Sequence, residues 1–173
     1  MPPESQVTKV QATQVEVAEV EVARVPPPVT YPLRQRVLRP GKPMTAARLD
    51  VDEDPRTATF AARTSTGEVV GTVVVYPEAC PWLPDRPHAW RLRGMATEPG
   101  LRSRGVGGRV LEAALDHIVR EGGELVWCNA RVPAQRFYER AGFTTHGEPW
   151  VDPEIGPHIA MWCDLRHPQR PGS

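Results

Sequence analysis

Gly105, Gly107 and Gly108 stand among Arg102, Arg104 and Arg109, and an apolar-periodic segment runs directly out of them. Glycine costs conformational entropy inside a helix, so a surface helix has little reason to open this way. An anion gives it one. Glycine lets backbone approach a bulky group closely, and the first-turn N–H groups of a helix have no partner within it. The helix dipole adds about half a positive charge at that end. Beyond the glycines, Val106, Val110, Leu111, Ala114, Leu115, Ile118 and Val119 recur with a period of about 3.6 residues, and Gly122-Gly123 ends the run. The stretch therefore predicts a helix whose entry receives a phosphate-bearing group.

The elements around it are strand-rich. Val15, Val17, Val20, Val22 and Val25 stand among Gln, Glu and Ala, and this β-branched content reads as an edge strand, able to complete its own sheet or that of a second copy in a homodimer. Residues 1–13 read as a disordered tail and 167–173 as a loose C-terminal one, leaving a single domain over 14–166. A short helix is expected from Thr30 to Leu38, with Thr30 as N-cap and Pro32 in its first turn. Thr57–Arg63 and Glu68–Tyr76 form a hairpin about Ser65-Thr66-Gly67, and Trp90–Ala96 a further strand. After the central helix come a strand at Leu125–Cys128 and a helix at Pro133–Ala141 with Phe137 and Ala141 on one stripe. Two last strands follow, Thr144–Trp150 and His158–Leu165. The pattern is mixed α/β, one mostly antiparallel sheet carrying a strand–helix–strand–helix unit in its second half.

Composition excludes several classes. The 173 residues carry 21 basic and 21 acidic side chains, so no global field selects nucleic acid or an anionic membrane. No apolar run approaches the roughly 20 residues that span a bilayer. Met1–Ser5 lacks the basic-then-apolar order of a signal peptide. Cys80, Cys128 and Cys163 are odd in number and widely spaced, which favours reduced thiols in a cytoplasm over a disulfide framework or zinc site.

Three phosphate-binding loops compete for the glycines. A nucleoside-triphosphate loop ends in Gly-Lys-Ser/Thr, and Gly107-Gly108-Arg109 has neither the lysine nor the hydroxyl. The dinucleotide pattern needs a third glycine where Val110 stands, within a repeated parallel architecture that the earlier strands do not suggest. The R-x-x-G-x-G loop that holds the pyrophosphate of coenzyme A is filled by Arg102, Gly105 and Gly107 without mismatch. Upstream stands Met95-Ala96-Thr97-Glu98-Pro99; downstream stands Phe137-Tyr138-Glu139-Arg140-Ala141-Gly142-Phe143. In this order and spacing the chain resembles the GNAT superfamily of acetyl-CoA-dependent N-acetyltransferases, over roughly residues 30–165.

The resemblance implies a mostly antiparallel central sheet, splayed between the strands that flank the pyrophosphate-loop helix, with helices on both faces. Met95, Ala96 and Thr97 would present backbone to the pantetheine arm. The amides of Arg102, Ser103, Arg104, Gly105, Val106, Gly107 and Gly108 would cradle the pyrophosphate. Tyr138 matches the tyrosine that many members use as general acid toward the leaving thiolate, and a phenol with pKa near 10 is protonated at neutral pH. Taken from the residues alone, the Phe137-Tyr138 pair is a packing pair. Many members carry an asparagine where this chain has Arg131; either Asn129 substitutes for it, or Arg131 binds a substrate carboxylate instead.

The acceptor side is less defined. The strand Trp90–Gly94 has no carboxylate, so His158, at the start of the last strand and opposite Ile159 and Met161 in face, is the candidate general base. Its alternative is a surface or capping histidine, and Glu78 is a second candidate. Arg34, Arg36 and Arg39 suit an acidic acceptor or an ordinary solvated face. The acidic run Asp50–Asp54 suits a cationic amine or a plain loop. Cys128 reads as a core thiol. No metal site is expected. Two functions remain open: transfer of an acetyl group from acetyl-CoA to a primary amine of a small molecule or peptide, or a non-catalytic acyl-CoA sensor.

Overall fold

A computed structural model describes residues 19–102 and 104–167. The expected positions Val15 and Val17, the tail 1–13, Ser103 and most of the C-terminal tail lie outside the described residues. Seven strands form one sheet in the order β1-β2-β3-β4-β5-β7-β6. They are β1 (Glu21–Arg24), β2 (Ala58–Arg63), β3 (Val69–Pro77), β4 (Ala89–Thr97), β5 (Leu125–Arg131), β6 (Thr144–Asp152) and β7 (Gly156–Asp164). The α-helices described are α1 (Tyr31–Leu38), α2 (Val106–Arg120) and α3 (Gln135–Arg140). β1 pairs antiparallel with β2, β7 antiparallel with both β5 and β6, and β4 parallel with β5. The mixed α/β expectation is met.

The chain packs as two compact units. One holds the residues up to Asp52 with Thr59–Val73 and Gly94–Ala113; the other holds Glu53–Ala58, Val74–Arg93 and the residues from Ala114 on. In the first, Gly67 at φ 86° turns the chain between β2 and β3, with its N–H on Thr64 O at 2.9 Å. Gly71 lets the start of α2 approach β3, because a Cβ there would sit 3.1 Å from Val106 Cγ1 and 3.2 Å from Val110 Cγ2. In the second, β5 is buried from Leu125 to Cys128, while β6 is exposed from Thr144 to Val151 and forms an edge of the sheet.

Several boundaries differ from expectation, each for a local reason. The valine-rich segment contributes only Glu21–Arg24 to a strand among the described residues, and that strand completes this chain's own sheet. Thr30 precedes α1 but does not cap it: its hydroxyl donates back to Pro27 O at 2.7 Å, closing a 3-10 turn over Pro27–Thr30. Val119 is 52% exposed although Ile118 is fully buried, since adjacent residues point about 100° apart around a helix. The expected helix at 133–141 divides into a 3-10 turn, Val132–Ala134, and α3. Its buried residue is Tyr138, not Phe137 or Ala141, which are half-buried. β5 runs on to Arg131, so Asn129 and Arg131 are strand residues.

Candidate active site

The entry of α2 is built as an anion seat would be. Gly105 takes φ 85°, in the left-handed region, and Arg109 N–H donates to Gly105 O at 3.1 Å as the opening α-helical bond. Val106, Gly107 and Gly108 precede that bond, at positions a helix leaves without partners of its own. Val106 is 1% exposed and anchors the turn, whereas a Cβ on Gly108 would meet nothing within 4 Å. The preceding loop is anchored by buried Leu101, whose N–H reaches Glu98 O at 2.8 Å, and by Glu98 N–H on Val70 O at 2.8 Å. Arg102 and Arg104 are exposed.

Met95, Ala96 and Thr97 end β4, with Ala96 buried and the other two half-buried. Just before them Gly94 has φ 62°, a left-handed residue inside a strand, which re-aims the backbone that follows. Sequence reasoning missed this kink, although a lone glycine within a strand pattern is its usual signal.

Tyr138 is 4% exposed, on a helix end that follows directly from the residues after it. Gly142, at φ 96°, donates to Glu139 O at 3.0 Å, and Phe143 N–H donates to Tyr138 O at 3.0 Å. That is a Schellman termination, and its usual apolar clasp is present as the Tyr138–Phe143 ring contact at 5.3 Å. Tyr-x-x-x-Gly-Phe is thus a device that seats the tyrosine. Burial raises the Tyr138 phenol well above its ordinary 10, and Cys128 nearby acts in the same direction. The group stays protonated throughout the neutral range.

His158 lies on β7, directly opposite Arg131 of β5 and Trp150 of β6. It is 8% exposed, so it is not the surface histidine of the alternative reading. Its Nδ1 lies 2.8 Å from Gly156 O. A carbonyl only accepts, so Nδ1 carries the hydrogen and Nε2 keeps its lone pair in the neutral ring. The Trp150 indole stacks on the imidazole at 5.8 Å and 22°. Asn129, one row further along β5, is exposed and faces Ala160.

The remaining candidates are engaged elsewhere. Glu78 is ion-paired with Arg91 at 3.1 Å, and its carbonyl accepts the Trp127 indole N–H at 3.0 Å. Arg34 is 1% exposed, so it belongs neither to a solvated face nor to an open acidic-acceptor site. Its Nη1 meets Asp52 Oδ2 at 2.9 Å, and the same oxygen accepts from Tyr31 Oη at 3.1 Å and Leu49 N–H at 2.9 Å. One arginine of the basic helix and one aspartate of the acidic run, opposite signals in the sequence, neutralise each other here. Arg36 pairs with Glu98, and Arg39 Nη1 donates to Leu38 O at 3.0 Å. All three thiols are buried; burial pushes Cys128 up to about 12 and Cys163 up to about 11, which removes thiolate at neutral pH. Among the described residues there is no metal-binding cluster, and no helix is long and apolar enough to cross a membrane.

Residues 28–143 match the family model described as Acetyltransferase (GNAT) family. The chain is 33% identical over 138 residues to YitI of Bacillus subtilis (strain 168), described as an uncharacterized N-acetyltransferase, covering 79% of this chain and 91% of that protein. A solved Lactobacillus plantarum structure assigned as an N-acetyltransferase superimposes with TM-score 0.69 at 22% identity, over 84% of this chain and 98% of its own. FeeM, an N-acyl amino acid synthase from uncultured soil microbes, gives TM-score 0.66 at 13% identity, over 86% and 92%. These likenesses carry the fold, and the family match together with the YitI identity carries the membership. This chain belongs to the GNAT acetyltransferase family, whose members transfer acyl groups from acyl-CoA to amines.

Proposed function

We propose that this protein is an acetyl-CoA-dependent N-acetyltransferase, acting on a primary amine of a small molecule or peptide by direct attack in a ternary complex. The reading takes residues 14–166 as one cytoplasmic catalytic domain. Tyr138 is the observation that carries it. Its buried phenol is seated by the helix-ending turn and stays protonated at neutral pH. In an acyltransferase the departing sulfur needs a proton, and this group is placed in the family's motif to give it.

The entry of α2 fits a pyrophosphate: glycine amides precede the opening helical bond, and the space over Gly108 is clear of protein atoms. In this reading Arg102, Ser103, Arg104, Gly105, Val106, Gly107 and Gly108 hold that group. Met95, Ala96 and Thr97 offer backbone to the pantetheine arm past the Gly94 kink, with Asn129 as a further contact. Acetyl-CoA, when bound, supplies the thioester, whose C–S bond breaks as a C–N bond forms. His158 Nε2 takes the amine proton, Tyr138 gives up its own, and solvent resets both.

Thermal unfolding with acetyl-CoA tests binding, since ligand at 100 times its Kd stabilises by about 2.7 kcal/mol. Release of free thiol across an amine panel then tests transfer. A shift with thiol release that Tyr138→Phe suppresses supports the enzyme. A shift with no release from any amine supports the sensor, and no shift removes both.

A further inference from the structure

We infer that Trp150 is a positioning residue for His158: its indole and the Gly156 carbonyl together hold the imidazole in one plane and one tautomer, with Nε2 as the acceptor. The inference rests on the acyltransferase reading and deepens it, by naming what makes His158 a base. The ladder between β6 and β7 is the first support. His146 lies opposite Ala160 and Trp150 opposite His158, so three residues of β6 (147–149) span what Ile159 alone spans on β7. Gly147, at φ 70°, and Pro149, which has no N–H to give a ladder, build that irregularity. A regular ladder would bring Glu148 opposite His158 instead. A carboxylate there would favour the imidazolium, which has no lone pair for an incoming proton. The additional residues put a neutral indole in its place.

Core burial does not account for the indole. Trp150 is 41% exposed, on a strand that is exposed from Thr144 to Val151, and it stacks on the His158 ring. The second brace comes from the turn between β6 and β7. Asp152 Oδ1 accepts from Glu154 N–H at 2.8 Å and from Ile155 N–H at 3.0 Å, and Gly156 opens β7 at φ 99°. That turn fixes the carbonyl to which Nδ1 donates at 2.8 Å. A flip of the ring would exchange Nδ1 with Cδ2 and lose this bond, and a tilt would lose the stack. The charged and titratable side chains in the rows around His158 are Arg131 on β5 and His146 and Asp152 on β6. The 3-10 turn Val132–Ala134, which also packs on β7, adds none.

The test separates this role from packing. Protein labelled at histidine nitrogen is followed by long-range proton–nitrogen NMR at mildly alkaline pH, with His158→Gln assigning the signal. The wild type should carry its hydrogen on Nδ1 alone, Trp150→Phe should keep that pattern, and Trp150→Ala should show both tautomers. Trp150→Leu, which keeps apolar bulk without a flat face, should behave like Trp150→Ala. With acetyl-CoA and the amine of the panel that is turned over fastest, Trp150→Ala should lower kcat about tenfold at unchanged KM for acetyl-CoA, while Trp150→Phe stays near wild type. In a His158→Gln background the same Trp150→Ala change should cost nothing further, because Trp150 acts through the imidazole. Hydrogen on Nε2 in the wild type, an unaltered spectrum or kcat in Trp150→Ala, or an equal cost in the His158→Gln background would overturn the inference. A tautomer lock that Trp150→Ala releases, with no thiol release from any amine, would instead overturn the acyltransferase reading and leave the lock standing.

Discussion

Two glycine pairs bracket α2, and they are there for opposite reasons. At its exit, Gly122 takes φ 81° and Gly123 N–H closes onto Ile118 O at 2.8 Å. A Cβ on Gly123 would lie 2.2 Å from Ile118 Cγ2, 2.8 Å from Trp90 Cδ1 and 2.9 Å from Ile118 O. The residue is small because the protein already fills the space. At the entry, a Cβ on Gly108 would meet nothing within 4 Å. No neighbour among the described residues requires it to be small, and the proposed pyrophosphate seat gives it a role. The same contrast separates the arginines: Arg34 is buried against Asp52, while Arg102 and Arg104 at the helix entry are exposed.

The contrast can be broken by substitution, starting with the largest effect. Asp52→Ala leaves the Arg34 charge buried beside Tyr31 and Leu49 with their shared acceptor gone, and removing one partner of such a pair costs about 3–5 kcal/mol. Chemical denaturation should record that loss. Bound ligand adds stability to the variant without changing the loss measured in the apo protein. Tyr138→Phe keeps the ring in its clasp with Phe143 and removes the proton donor; kcat should fall about 100-fold with melting temperature nearly unchanged. Gly123→Ala forces the exit turn apart and should cost about 2 kcal/mol, with acetyl-CoA affinity of the folded protein unaltered. Gly108→Ala should do the reverse. It leaves stability unchanged or raised by up to about 1 kcal/mol, while acetyl-CoA binding weakens about tenfold.

A smaller effect concerns pH. Tyr138 acts in its protonated form, and burial raises its pKa above 10, so deprotonation begins only at still higher pH. The rate profile should therefore show no Tyr138-dependent decline up to about pH 10. A fall that begins near pH 8 and disappears in Tyr138→Phe would show a solvated phenol instead.

Much of this was legible in the residues. Period and glycine punctuation located α2 and the ladder strands to within a few positions, because apolar spacing and turn chemistry are local. The R-x-x-G-x-G loop and Tyr-x-x-x-Gly-Phe were legible for the same reason, each being a single stretch with its own backbone logic. The Arg34–Asp52 pair was not, since 18 residues separate its members and nothing in either segment names the other. Neither was the burial of His158, which depends on β7 lying between β5 and β6. Tyr138 takes the buried place expected of Phe137 because the turn that ends the helix clasps it against Phe143.

The claim that the α2 entry holds the pyrophosphate of coenzyme A is tested most directly by titrating acetyl-CoA against S-acetylpantetheine, which has the same thioester arm and no pyrophosphate. Charge-assisted bonds to backbone amides contribute about 1.5–3 kcal/mol each, so two of them separate the ligands by about 100-fold or more. Acetyl-CoA binding at least that much more tightly, with the difference narrowed in Gly108→Ala, is the predicted result. Equal affinity for the two ligands would contradict it.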